Sequence, residues 1–396
     1  VQKYGGSSVA DLERLRQVAK RVVETVGKGY RVVVVISAMG RTTDELLALA
    51  QKLSAHPARR ELDMLLTAGE RIASALLAMA ISDLGQEAIS FTGSQCGIIT
   101  SDRHNDARIL EVRPYRVQDE LDRGRVVIIA GYQGVSYKRE VTTLGRGGSD
   151  TTAVAMAGAL GAEYCEICSD VDGVYSADPN QVDSSVHLEY VSYSQMQELA
   201  QYGAKVLNAQ AVEFARREGI QIYARATSGS QRVTRVGVES APGKAVGVAG
   251  LSNLVCMQSE GGGEQLAGIA RLLKEVQVSP LWARLHNGHP QLLFDKERCG
   301  DFATFRARLG EFKRDAHFEE PLEAASVIGS GLGDDPSDLS ALMEMAKARK
   351  FEVVGVDASS QRLTLLLRPG RLKEALSALH ELFVRPSRED GAIETP

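Results

Sequence analysis

Val32-Val33-Val34-Val35-Ile36 is an unbroken apolar run that ends in Ser37-Ala38-Met39-Gly40. A continuous run of β-branched residues, rather than an alternating one, marks a strand buried on both faces. Val126-Val127-Ile128-Ile129-Ala130 repeats the pattern. Before the first run, Leu12, Leu15, Val18, Ala19, Val22, Val23 and Val26 recur at helical spacing, with Ser8 and Asp11 as a capping pair. Further helical patterns cover 60–84, 149–160 and 192–218. Strand, turn and helix in repetition over residues 1–225 predict an α/β fold: an open, mostly parallel sheet sandwiched by helices.

The character changes between 226 and 245, where Ala226-Thr227-Ser228-Gly229-Ser230-Gln231 is small and polar and Ala241-Pro242-Gly243-Lys244 is a turn signal. The expected division is a large domain at 1–240, a first small α+β module at 246–320, a second at 321–385 (interleaving of the two left open) and a disordered tail at 386–396.

The 396 residues are 44% hydrophobic and 24% charged, with a net charge of −5. That balance gives no electrostatic reason to expect nucleic acid or an anionic membrane as partner. No apolar run stands out as a membrane span, and no signal peptide is read at the start, so a cytoplasmic location is expected. The cysteines Cys96, Cys165, Cys168, Cys256 and Cys299 are few and scattered, which fits a reducing compartment. Cys165 and Cys168 form the only CxxC, in a strand-like run whose alternation points the two sulfurs to opposite faces; a shared metal is not expected.

Three clusters carry chemistry. In Lys3-Tyr4-Gly5-Gly6-Ser7-Ser8, glycines at a strand end let backbone N–H groups approach an anion, beside a mobile cation and the positive end of a helix. The lysine precedes the glycines, so this is not a GxxxxGK[ST] loop, and an ordinary turn has the same look. In Thr143-Leu144-Gly145-Arg146-Gly147-Gly148-Ser149-Asp150, Arg146 can clamp a carboxylate with two parallel hydrogen bonds, and Asp150 can serve simply as a helix cap. Ser169-Asp170-Val171-Asp172-Gly173-Val174-Tyr175-Ser176-Ala177-Asp178-Pro179 lacks the remaining ligands of a calcium loop and suits contact with a nucleotide or its magnesium, with an ordinary Asp-Gly turn as the alternative. No GxGxxG follows a strand with an acid at the right distance, which argues against a dehydrogenase.

The order of these motifs resembles the aspartate kinases of the amino-acid kinase superfamily. The segments are KYGGSSVA from Lys3, VISAMG from Val35, LTAGER from Leu66, SFTGSQ from Ser90, GRGGSDTTA from Gly145 and SDVDGVYSADP from Ser169. The resemblance implies phosphorylation of the side-chain carboxylate of L-aspartate by ATP, with Mg2+, as the first step toward lysine, threonine and methionine. It further implies that Lys3, Ser37, Arg146 and Asp150 are catalytic. Thr43, Glu70, Arg146, Gly147, Gly148 and Ser149 would hold the substrate, with Glu70 on its ammonium group. Lys3, Tyr4, Gly5, Gly6, Ser169, Asp170, Tyr175, Asp178 and Lys205 would hold ATP; no protein metal site is implied. Asn180 stands where relatives carry an arginine, which implies a weaker hold on ATP. Leu207-Asn208-Ala209-Gln210 replaces a family His-Pro-Arg.

In relatives the C-terminal region is a pair of ferredoxin-like ACT modules that bind lysine or threonine and support a homodimer or higher oligomer. Here Glu260-Gly261-Gly262-Gly263-Glu264 replaces a family Asp-x-Pro-Gly turn and Asp334-Asp335-Pro336-Ser337 a His-Pro-Gly. Pro280 is awkward in the strand expected over 276–282. Altered or lost lysine/threonine feedback is therefore expected. The alternative is a non-catalytic or differently specific paralogue with a regulatory or specialised role.

Overall fold

The structure, a computed structural model, describes residues 1–145, 147–238, 244–312 and 316–384. Arg146 and the segment 386–396 lie outside the described residues. The chain divides into two compact units, one of Val1–Val174, His187–Gln201 and Lys205–Ala241, the other of Tyr175–Val186, Tyr202–Ala204 and Pro242–Pro396.

The first unit is built on an eight-stranded sheet. Its strand order is Tyr190–Ser192, Val233–Gly237, Ile222–Ala226, Cys165–Ser169, Gln2–Tyr4, Val33–Ile36, Val126–Ala130 and Ala88–Phe91. All neighbours are parallel except Ile222–Ala226 with Val233–Gly237. The runs 33–36 and 126–130 are buried throughout, because helices cover both faces. On one face Tyr4, Val34, Ile36 and Ile128 join Leu15, Val18 and Val22 of the helix Leu12–Gly27 and Ala73 and Leu77 of the helix Arg59–Ser82. The opposite face receives the helix Gly148–Leu160. A four-stranded sheet, in the order Ile109–Val112, Ile98–Thr100, Gln133–Ser136 and Val141–Thr143, completes the unit.

Several elements differ from the sequence reading for identifiable reasons. Asp11 alone caps the first helix, accepting from Arg14 N–H, while Ser8 lies in a preceding 3-10 turn, Gly6–Val9. The pattern over 192–218 is two helices, Tyr193–Gln201 and Ala209–Glu218. Asn208 starts the second by accepting from Gln210 and Ala211 N–H. Between them Gly203 runs so close to the Gly250 carbonyl that a side chain has no room. The helix Arg59–Ser82 has the length and composition to cross a bilayer. It is folded against the sheet instead, and it turns Asp63 and Glu70 inward.

The second unit holds a six-stranded sheet in the order Trp282–His286, His289–Asp295, Ala245–Gln258, His317–Gly329, Arg362–Leu367 and Val353–Ser359, antiparallel throughout. Its two long central strands each serve two cores. One core gathers Val255, Met257, Leu292 and Phe294 with the helices Gly263–Val276 and Phe302–Phe312; the other gathers Val327, Leu363 and Leu365 with Pro336–Ala348 and Leu372–Phe383. Val276 ends a helix, and the strand placed at 276–282 begins only at Trp282, on the sheet edge. Pro280 therefore costs no ladder hydrogen bond.

Candidate active site

The strands Cys165–Ser169, Gln2–Tyr4, Val33–Ile36 and Val126–Ala130 run parallel, so their carboxyl ends open onto one edge of the sheet, where ligands of such folds collect. The turns leaving that edge are locked to neighbouring strand ends. Gly5 N–H donates to the Cys168 carbonyl at 3.4 Å, Ser37 N–H to Tyr4 at 3.1 Å and Gly131 N–H to Ile36 at 3.0 Å. Gly40 N–H donates to the Gly6 carbonyl at 3.1 Å, which ties the two glycine turns together.

Alternation along Gln2–Tyr4 sends Lys3 to the face of the helix Gly148–Leu160 and its neighbours to the other. Lys3 Nζ stands 2.6 Å from Asp150 Oδ1, in that helix's first turn. The contact has ion-pair distance without the directionality of a hydrogen bond. Both side chains are nearly buried, so each charge depends on the other or on a ligand. Ser149 is one residue away, and its hydroxyl accepts from Ser37 Oγ at 3.0 Å. Lys3, Ser37, Ser149 and Asp150 thus meet at one place.

Glu70 approaches from the helix Arg59–Ser82. Its Oε1 accepts from Ala38 N–H at 3.3 Å, while Oε2 is buried with no hydrogen-bond partner. Burial pushes its carboxyl up to about 7, against the smaller opposing effect of backbone hydrogen bonds. A carboxylate buried with one oxygen unsatisfied is prepared for a cationic group. Thr43, half-buried, lies in the first turn of the helix Thr42–Leu53.

The loop before Ser149 is held from several sides. Gly147 has φ +72°, and a Cβ there would fall 2.3 Å from Asn208 Nδ2. Asn208 is thus both helix cap and wedge, which explains it in physical terms where the sequence offered none. Gly148 lies over the ring of Tyr132, a non-glycine residue at φ +67°. Fully buried Asp63 accepts from Thr143 Oγ1 at 2.6 Å and from Asn105 N–H at 3.1 Å, and contacts His104 Nδ1 at 2.6 Å. Sequence reading missed Gly131, Tyr132 and Asp63. The Gly-Tyr pair directly after a buried strand was the available signal for the first two; Asp63 looks like any helix acid.

The other expected ATP contacts are more dispersed. The Tyr4 ring is fully buried on the opposite face of the sheet, its hydroxyl donating to Gln2 Oε1 at 3.2 Å, so only its backbone lies toward the turn. Ser169 and exposed Asp170 leave the sheet edge beside Gly5. Lys205 is exposed. Tyr175 and Asp178 fold with the second unit, where Ala177 and Val182 enter its core and Ser176 Oγ contacts His380 Nε2 at 2.8 Å. Asn180 turns back on Asp178, donating from its backbone N–H at 2.9 Å and from Nδ2 at 3.1 Å. All five cysteines are free and buried, and burial pushes the Cys165 and Cys168 thiols up to about 12.

Comparison with known proteins bears on this arrangement. The profile of the amino acid kinase family matches residues 1–225. The aspartokinase of Mycolicibacterium smegmatis is 42% identical over 404 residues, covering 97% of this chain and 95% of that protein. That of Mycobacterium tuberculosis is 42% identical across 99% of this chain and 98% of its own. The crystal structure of E. coli aspartokinase III in complex with aspartate and ADP matches with a TM-score of 0.85 at 22% identity, over 97% of this chain and 99% of that one. At that identity the likeness speaks for the fold.

Proposed function

The chain belongs to the amino acid kinase family and, within it, to the aspartokinases, enzymes that phosphorylate aspartate, and we propose that it does so at the carboxyl edge of its eight-stranded sheet with the residues just described. The observation that carries this reading is the meeting of Lys3, Asp150, Ser37 and Ser149 beside the unsatisfied carboxylate of Glu70.

The acceptor is already a carboxylate, so no general base is required. The work is positioning and neutralising charge on the transferring phosphoryl group. Lys3 supplies the cation, with Asp150 fixing its direction. The Ser149 hydroxyl, which accepts from Ser37 Oγ and so keeps its own hydrogen, and the Gly6 N–H at the start of the turn Gly6–Val9 are donors for phosphoryl oxygens, while Gly5 N–H is engaged with the Cys168 carbonyl. Glu70 Oε2 takes the substrate's ammonium group, which restores its ionised form. The resemblance adds Arg146 on the α-carboxylate, Thr43, Gly147 and Gly148 near the substrate, and Ser169, Asp170, Tyr175, Asp178 and Lys205 on ATP. Asn180, engaged with Asp178, leaves ATP a weaker hold than an arginine would.

Among the described residues no group of three His, Cys, Asp or Glu side chains could hold a metal ion. Magnesium commonly keeps its waters and takes one or two carboxylates together with substrate phosphates. Exposed Asp170 suits an ion arriving on ATP in that way.

In the C-terminal region, read as two ACT modules, acids crowd the positions where relatives present N–H groups to an effector. Asp335 caps the helix Pro336–Ala348, accepting from Ser337 N–H, and pairs with Lys244 at 3.1 Å. Glu264 lies in the first turn of Gly263–Val276. Carboxylates there disfavour the α-carboxylate of an amino-acid effector, which supports altered or lost lysine/threonine feedback. We read the protein as a cytoplasmic homodimer paired through this region.

A hydroxylamine trap for acyl phosphate, run with ATP and with aspartate, glutamate or acetylglutamate, tests the reading. Hydroxamate is expected with aspartate only. Its absence with every acid would favour a non-catalytic paralogue, and a preference for another acid would redirect the specificity.

A further inference from the structure

Three neighbouring strands of the first unit, Ile222–Ala226, Cys165–Ser169 and Gln2–Tyr4, lie side by side, with Cys165–Ser169 in the middle. The two outer strands do not touch. Yet the residues that follow them are bonded to each other over the end of the middle one. Ser8, two residues past the Gly5-Gly6 turn, has its Oγ 2.6 Å from Thr227 Oγ1. Thr227 Oγ1 also donates to the Ser169 carbonyl at 3.0 Å, and Thr227 N–H donates to the same oxygen at 2.8 Å. A hydroxyl has one hydrogen, so Thr227 spends its own on Ser169 and Ser8 must be the donor in the other contact. The order of donation is Ser8 to Thr227 to Ser169.

Thr227 is itself fixed from below. Arg21, on the helix Leu12–Gly27, donates from Nη1 to the Ala226 carbonyl at 2.9 Å and to the Thr227 carbonyl at 2.8 Å. Its other nitrogen lies 3.7 Å from Glu166, a buried acid that also accepts from Gln2 at 2.9 Å and Arg225 at 3.0 Å. A half-buried, charge-paired arginine with two carbonyl bonds holds this loop start more firmly than its small, polar sequence would.

We propose that Thr227 is a positioning residue for ATP, a clasp that sets the spacing between the lysine–glycine turn and the Ser169-Asp170 turn. This rests on the reading that those two turns hold the nucleotide. Among the described residues no hydrogen bond or ion pair joins Thr227 to Lys3 or Asp150, so it acts through the turns it joins.

The test uses the full chain with Thr227→Val, which keeps the shape and removes the hydroxyl, Thr227→Ser, which keeps the hydroxyl, and Ser8→Ala, which removes the donor. ATP affinity is measured by calorimetry without aspartate, and KM for each substrate by steady-state kinetics. Thr227→Val and Ser8→Ala are expected to weaken ATP on the order of tenfold, the cost of about one good hydrogen bond, with KM for aspartate within about twofold of the parent. Thr227→Ser is expected to match the parent. ATP affinity unchanged in Thr227→Val, equal losses for both substrates, or a failure of serine to rescue would each overturn the proposal. Should Thr227→Val not fold, judged by its circular dichroism, Ser8→Ala decides. A parent that binds ATP without phosphorylating aspartate refutes the functional reading while the clasp is still judged on ATP affinity; a parent that binds no ATP overturns both.

Discussion

Glu70 is where a single residue sets a measurable pH dependence. Its carboxyl is raised to about 7 by burial, and only the ionised form can hold an ammonium group. As pH falls through 7 the free enzyme protonates at this residue, so kcat/KM for aspartate should drop by about tenfold per pH unit below that point. Glu70→Gln should flatten the profile and lower kcat/KM at pH 8. The stability effect has the opposite sense. A carboxyl whose folded value lies above its ordinary 4.5 contributes stability fully below 4.5 and loses it as pH rises through about 7. Thermal melts should therefore show Glu70→Gln more stable than the parent at pH 8 and little changed at pH 5. A flat parent pH profile would remove Glu70 from the ammonium site.

Among the elements, the start of the helix Gly148–Leu160 carries the most function on the least sequence. Gly147 sits in the left-handed region and abuts Asn208, so Gly147→Ala meets both backbone strain and a collision. It should raise KM for aspartate by at least about tenfold and cost about 1–3 kcal/mol of stability in denaturant melts. Adding Asn208→Ala should recover part of the loss by clearing the collision, although it removes a helix cap. Equal effects of the single and double variants would show that Asn208 is not a wedge. The same asparagine shows the limit of periodicity: apolar spacing over 192–218 continues through the break, and only the cap and the close approach of Gly203 to Gly250 reveal two helices.

At the scale of the whole molecule, the C-terminal sheet shares its two long strands between two cores: the residues of one all fall between Val255 and Phe318, and those of the other lie to both sides of that stretch. Among the described residues its edge strands Trp282–His286 and Val353–Ser359 have no strand partner on their outer sides, which favours pairing with a second copy. Light scattering should give the mass of a dimer. Calorimetry with lysine and threonine, singly and together, should show no binding at sub-millimolar concentration, and neither should inhibit. Tight inhibition by the pair would show that the acids at 260–264 and 334–335 are compatible with the effector, and a monomer mass would remove the edge argument.

Sequence alone determined the α/β class, the parallel sheet and most helices of the first unit, because buried strands and amphipathic helices write their periods directly into residue order. It also placed Lys3, Ser37, Ser149 and Asp150 on glycine-flanked turns and helix starts, whereas Glu70 lies in the middle of the helix Arg59–Ser82. What only the tertiary structure decided was set by contacts between residues far apart in the chain. The Tyr4 ring went to the core, because alternation on a three-residue strand allows only Lys3 to face Asp150. The segment Tyr175–Val186 joined the second unit, because Ala177 and Val182 complete that unit's core. Thr227 became a clasp only when strand order put Ser8 and Ser169 within reach of its one hydroxyl.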